Sequence, residues 1–111
     1  MTGAMVRVSV AIIVAPAKTS EVSRRFDEFF YPAISRQAGF LECVLLRETD
    51  RNDTSGDQHL RMDISFSSER ERLDWVETDL HDEVFGLLVQ EASKYEALHL
   101  SAVSAPGRTG H

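Results

Sequence analysis

Apolar residues recur along this chain at two different periods, and the changes of period predict its elements. Val6, Val8, Val10, Ile12 and Val14 alternate with Arg7, Ser9, Ala11 and Ile13. A period of two built from β-branched residues predicts a strand, which Pro16 stops. Val22, Phe26, Phe29, Phe30, Ala33 and Ile34 then follow a helical stripe. Thr19 or Ser20 is placed to cap that helix, with Glu21 against its dipole. Pro32 lies inside the stripe, lacks an N–H and crowds the carbonyl of Glu28, so a kink or an early end is expected. Gly39 is expected to terminate the helix as its C-cap glycine.

The second half repeats this order coarsely. Phe40 to Arg47 reads as a strand with apolar residues on both sides, Leu41, Cys43 and Leu45 against Phe40, Val44 and Leu46. Residues 48–58 are polar and turn-rich and predict a long hairpin-like loop. His59 to Phe66 is a third strand, with Leu60, Met62, Ile64 and Phe66 on one face and Arg61, Asp63 and Ser65 on the other. Ser68-Glu-Arg-Glu71 is a capping box that opens a helix striped by Leu73, Val76 and Leu80. Thr78 or Asp79 can cap a further helix carrying Val84, Phe85, Leu87, Leu88 and Ala92, and Tyr95 to Val103 is a fourth strand. The order is that of a ferredoxin-like βαββαβ fold of the α+β class: a four-stranded antiparallel sheet with helices on one face.

Helices cover only one face of such a sheet. Ala11, Ile13 and the doubly apolar second strand leave apolar surface on the other, and such surface marks an association site. A homodimer packed sheet against sheet, a dimeric α+β barrel, is expected; the alternative is a monomer whose far face is merely mixed.

Composition narrows the function. The 111 residues suit a single domain spanning 1–111, with a core over about 6–104 and loose ends at Met1–Ala4 and Pro106–His111. Twelve Lys and Arg against eighteen Asp and Glu give a formal charge of −6. That balance disfavours nucleic acid and anionic membrane surfaces as partners. The single cysteine, Cys43, excludes an intrachain disulfide and reads as a buried small apolar residue. The apolar run Val8–Ala17 is too short to span a bilayer and lacks the flanks of a signal peptide, so a cytoplasmic location is expected. No Gly-rich phosphate loop, zinc-spaced Cys or His pair, or nucleophile elbow is present.

The pattern Phe26-x-x-Phe29-x-x-Pro32, then Gly39-Phe40-Leu41, then Ile64-Ser-Phe66-Ser-Ser68, then Trp75 and His81 resembles the antibiotic biosynthesis monooxygenase domain. The resemblance covers roughly residues 6–104. It implies a small dimeric α+β barrel and, for function, a cofactor-independent monooxygenase acting on an aromatic or polyketide-derived small molecule, with no cofactor and no metal. It does not imply haem degradation. Trp75 matches the tryptophan of that branch, but Ile12 stands near the position of its asparagine and Val84 to Leu87 contain no histidine. A non-redox cyclase or isomerase in the same pocket, or a ligand-binding module without turnover, remain as alternatives.

Oxygenation without metal or flavin requires a substrate that supplies its own electrons, such as an anthrone or hydroquinone. The protein then removes a proton and stabilises the anion. His81 is the first choice for the proton acceptor and Trp75 for a partner. Tyr31, Phe30, Met62, Phe66 and Phe85 are expected to line the pocket. In one unbroken helix a six-residue step turns about 600°, so Trp75 and His81 converge only if the helix breaks near Thr78-Asp79. The plainer alternatives are a solvated or capping His81, a core-packing Trp75 and a Tyr31 with its hydroxyl in solvent. His59, Arg61 and Asp63, with His99 and Ser101, are expected on the dimer-facing side, lining a polar interior or pairing across the interface. Glu69, Arg70, Glu71 and Arg72 read as a solvated helix face.

Overall fold

The computed structural model describes residues 4–50 and 54–106. The chain runs β1 (Val6–Val14), α1 (Thr19–Arg25), α2 (Tyr31–Ile34), β2 (Phe40–Arg47), β3 (Gln58–Phe66), α3 (Glu69–Val76), α4 (Asp79–Val89) and β4 (Lys94–Ser101). The strands form one open antiparallel sheet in the order β2-β3-β1-β4. This is the expected ferredoxin-like α+β arrangement. Of the expected loose ends, 1–3 and 107–111 lie outside the described residues, as do 51–53 of the loop after β2. Among the described residues no helix is long and apolar enough to cross a membrane.

Period two places the core. Val6, Val8, Val10, Ile12 and Val14 are all buried beneath the helices, with Leu60, Met62, Ile64 and Phe66 of β3 beside them. Phe30, Ile34 and Leu88 close over them from the helical layer.

The first helical region departs from the expected capping. Ala15 precedes a 3-10 turn over Pro16–Lys18, and Pro16 opens it. Proline suits that position because its fixed φ is helical and its missing N–H would have no partner there. Thr19 therefore falls within the helical run, and its buried hydroxyl makes no hydrogen bond.

Pro32 is resolved by a wide turn. Phe26–Phe30 is π-helical, and the Tyr31 N–H donates to the Phe26 carbonyl five residues back. The bulge absorbs the donor that Pro32 lacks and relieves the crowding of its ring. The helix then continues through Pro32 to Ile34.

Gly39 consequently lies beyond the helix and is not its C-cap. It occupies the third position of a turn closed by Phe40 N–H to Gln37 carbonyl at 3.2 Å, with φ 81° as a type II turn requires. Its carbonyl accepts the Ser67 N–H at 2.8 Å. A Cβ there would sit 2.7 Å from the Glu71 Cβ. Gly39→Ala is expected to destabilise the fold by about 1–3 kcal/mol through backbone strain and overlap. An unchanged denaturation midpoint in urea would refute this.

The faces of β2 also differ from strict alternation. Phe40 pairs with Phe66 and Glu42 with Ser65, so Leu41 is an extra residue in a bulge. The bulge turns Phe40 onto the helical face with Cys43 and Leu45, leaving Val44 and Leu46 on the opposite face. Strict alternation places Phe40 with Val44 and Leu46 instead.

Candidate functional site

Trp75 and His81 meet because the second helical region breaks where the sequence requires it. Thr78 is extended (φ −84°, ψ 150°) between α3 and α4. Its hydroxyl donates to the Trp75 carbonyl at 2.8 Å and accepts the His81 N–H at 3.0 Å. One side chain thus satisfies the end of one helix and the start of the next. The rings lie 5.2 Å apart, edge to face at 84°. The same break turns Leu80 outward, where it is exposed rather than part of the α3 stripe.

His81 is fixed on three sides. Phe85, one turn on in α4, stacks against its ring at 5.6 Å and 5°. Asp82 Oδ1 lies 3.1 Å from its Nδ1. A carboxylate only accepts, so Nδ1 donates in that contact and Nε2 is the nitrogen left to take a proton. The side chain is 19% exposed. Trp75 is buried and packs edge to face on Phe30 at 6.2 Å. Its indole N–H donates to no group among the described residues.

These side chains line one cavity of about 280 Å³ between helices and sheet. Val8, Val10, Ile64 and Phe66 form its floor, Phe30, Trp75, His81 and Phe85 its helical wall, and Tyr95, Ala97 and His99 of β4 its outer side. The walls are apolar at the floor and polar only at a few points, as ligand sites are. Tyr95 packs edge to face on Phe85 at 5.5 Å while remaining half exposed, so the cavity opens along the β4 edge.

Of the residues singled out from sequence, His81, Trp75, Phe30, Phe66 and Phe85 share this cavity. Tyr31 and Met62 do not. Tyr31 borders a separate hollow beside Phe26, Cys43 and Leu45. Met62 is fully buried beneath the helices and does not line the cavity. Cys43 is buried, and burial pushes its thiol up to about 12, with the Glu42 and Asp63 carboxylates adding to the shift. It is a packing residue rather than a nucleophile.

Three polar residues fall elsewhere than expected. His99 pairs with Val8 and Ser101 with Val6, so both lie on the helical face and His99 reaches the cavity. Arg72 is not solvated: its side chain is 12% exposed and it lines the cavity. Arg70, two residues earlier, is 63% exposed and pairs with Asp74 and Glu77, which is the surface behaviour expected of the whole run. The charge run gave no signal separating the two arginines; only the docking of α3 does.

On the opposite sheet face, Arg61 donates to Ser9 at 2.8 Å and to Glu48 at 3.2 Å, and Ser9 donates to Asp63 at 2.7 Å. Arg7 donates to Ser65 at 3.0 Å. Arg61 thus finds its carboxylate partner within its own chain. Around this polar centre Leu46, Leu98 and Leu100 are exposed.

Solved structures share this architecture. A mutant form of SnoaB, a cofactor-independent oxygenase from Streptomyces nogalater, matches with a TM-score of 0.72 at 18% identity, covering 95% of this chain and 99% of that one. A protein from Caulobacter crescentus provisionally named an antibiotic biosynthesis monooxygenase matches with a TM-score of 0.75 at 18% identity, covering 91% and 92%. A dabb family protein of ferredoxin-like fold from Mesorhizobium loti gives 0.70 at 17% identity, covering 92% and 100%. No protein-family model and no curated protein matches the sequence. At these identities the likeness is one of fold.

Proposed function

We propose that this chain is a cofactor-independent monooxygenase of the antibiotic-biosynthesis type, oxidising an aromatic or polyketide-derived small molecule. The observation that carries the reading is the convergence of Trp75 and His81 on one apolar cavity, with His81 Nε2 left as proton acceptor. The fold shared with a cofactor-independent oxygenase supports it. A dry cavity that binds benzene measures about 150 Å³, and this one, at about 280 Å³, suits two or three fused rings.

The chemistry balances with molecular oxygen as sole oxidant. His81 takes a proton from an acidic C–H or O–H of the substrate, and the Trp75 N–H can donate to the resulting oxyanion. The carbanion or phenolate supplies the electrons to oxygen. One oxygen atom stays on the ring as a new carbonyl; the other leaves as water with the two hydrogens the substrate has lost. Anthrone plus oxygen gives anthraquinone plus water in this way.

The test is oxygen uptake by the purified chain with anthrone, above the rate of spontaneous oxidation. Uptake matched to quinone formed supports the oxygenase. Turnover without oxygen consumption makes the chemistry a cyclisation or isomerisation, and binding without turnover makes the domain a ligand carrier.

The same reading includes a homodimer, packed sheet against sheet to form an α+β barrel, in the cytoplasm. The exposed Leu46, Leu98 and Leu100 around a self-paired polar centre support it. Sedimentation at micromolar concentration is expected to give a dimer, and the double variant Leu98→Asp, Leu100→Asp a monomer. A monomeric wild-type chain would remove the dimer from the proposal.

A further inference from the structure

Two arginines in this fold have nearly the same exposure and opposite bonding. Arg25, whose side chain is 13% exposed, turns each of its three guanidinium nitrogens to a different residue. Nε donates to Glu21 at 3.0 Å, Nη1 to the Leu87 carbonyl at 3.0 Å, and Nη2 lies 3.6 Å from Glu91. Arg72, at 12%, turns two of its nitrogens to a single carboxylate. Nε and Nη2 each donate to Glu69 at 2.8 Å, and Nη1 donates to nothing among the described residues. Arg25 behaves as a structural clamp between helices; Arg72 does not.

What remains on Arg72 has a definite shape. Glu69 occupies the side fork formed by Nε and Nη2. The end fork, one N–H from each terminal nitrogen, remains unpaired. Two parallel N–H donors match the two oxygens of a carboxylate better than a single phenolate oxygen. The free Nη1 of Arg72 stays accessible, since Thr19 Oγ1 alone is buried without a partner among the described residues. Arg72 lines the cavity three residues before Trp75, on the same helix.

Arg72 shares the cavity with His81 and His99, and among these it alone offers a planar two-donor fork. Glu69 holds it in place, and the ion pair keeps the Glu69 carboxyl below its ordinary range. His99 lies on the same side of the cavity and lowers Glu69 further. Glu96 also borders the cavity, but it pairs with Ala11, so alternation sends its side chain to the opposite sheet face.

We infer that the ligand of this cavity is an aromatic carboxylic acid, bound as its carboxylate by the free fork of Arg72, with the ring system between Trp75, Phe85 and the sheet. This rests on the aromatic-ligand reading above and names its substrate class. Arg72 is then a specificity residue, and Glu69 positions it.

The test compares 2-naphthoate with 2-naphthamide, which has the same rings and no charge, by equilibrium dialysis at pH 7. The folded wild-type chain is expected to bind the naphthoate roughly tenfold or more tighter, the scale of one charge-assisted pair. Arg72→Gln should abolish that preference while leaving the naphthamide affinity within about twofold. Arg72→Lys, which keeps the charge and loses the fork, should retain an intermediate preference. Equal binding of the two ligands by the wild type overturns the inference and leaves the aromatic site standing. So does an Arg72→Gln variant that weakens both ligands alike, which is what a structural role predicts. If neither ligand binds the wild type, the aromatic-site reading falls with it.

Discussion

Replacing His81 with alanine is expected to lower the rate of anthrone oxidation by about 10²–10⁴-fold, the usual contribution of a positioned general base. The prediction separates chemistry from packing because the two roles of this residue reside in different atoms. The cap at the start of α4 uses the His81 backbone N–H and the Thr78 hydroxyl, and neither changes in the variant. The ring contributes its contacts with Trp75 and Phe85 and an exposed hydrogen bond to Asp82. Losing those contacts costs about 0.5–1.5 kcal/mol each. A large fall in turnover with a small shift in thermal midpoint therefore assigns the proton transfer to the imidazole. A variant that keeps its rate within about threefold would remove His81 from the chemistry.

How much of this arrangement was legible in the sequence depends on how local each determinant is. The alternation in β1 and β3 and the order of elements are local, and they yielded the fold. The break at Thr78 was legible too, because Thr-Asp is a strong cap and because only a break brings Trp75 and His81 together. The bulge at Leu41 was not, since alternation between flexible partners does not show where one extra residue enters; pairing with Phe66 and Ser65 decides it. The proline at 32 announced a disturbance, but a wide turn, a kink and a helix end all relieve the same crowding. Gly39 was recognised as a special backbone position and assigned to the wrong device, because the helix stops at Ile34 rather than running up to it. Arg72 was hidden most completely. Four alternating charges look alike on an isolated helix, and only docking of α3 against the sheet turns one arginine toward the cavity.

Phe30→Ala is expected to destabilise the protein by about 3–5 kcal/mol, while Phe29→Ala, one residue away, should cost less than about 1 kcal/mol. The contrast follows from the π-turn. In an α-helix, steps of three and four residues fall similarly close to a full turn, so Phe29 and Phe30 would share the buried face of Phe26. Widening the turn lowers the rotation per residue. The four-residue step then closes nearer a full turn and the three-residue step falls further short. Phe30 accordingly stacks on Phe26 at 6.2 Å and meets Trp75 and Phe85 edge to face, at 1% exposure, while Phe29 is 41% exposed. Phe30 also forms part of the cavity wall, so its loss enlarges the cavity and releases the Trp75 ring. Phe30→Leu, which restores most of the volume, should recover most of the stability but not the edge-to-face contact. Chemical denaturation of the three variants measures the difference directly. Equal losses at positions 29 and 30 would mean that the helix is not widened before Pro32, and the wall that faces His81 would have to be redrawn.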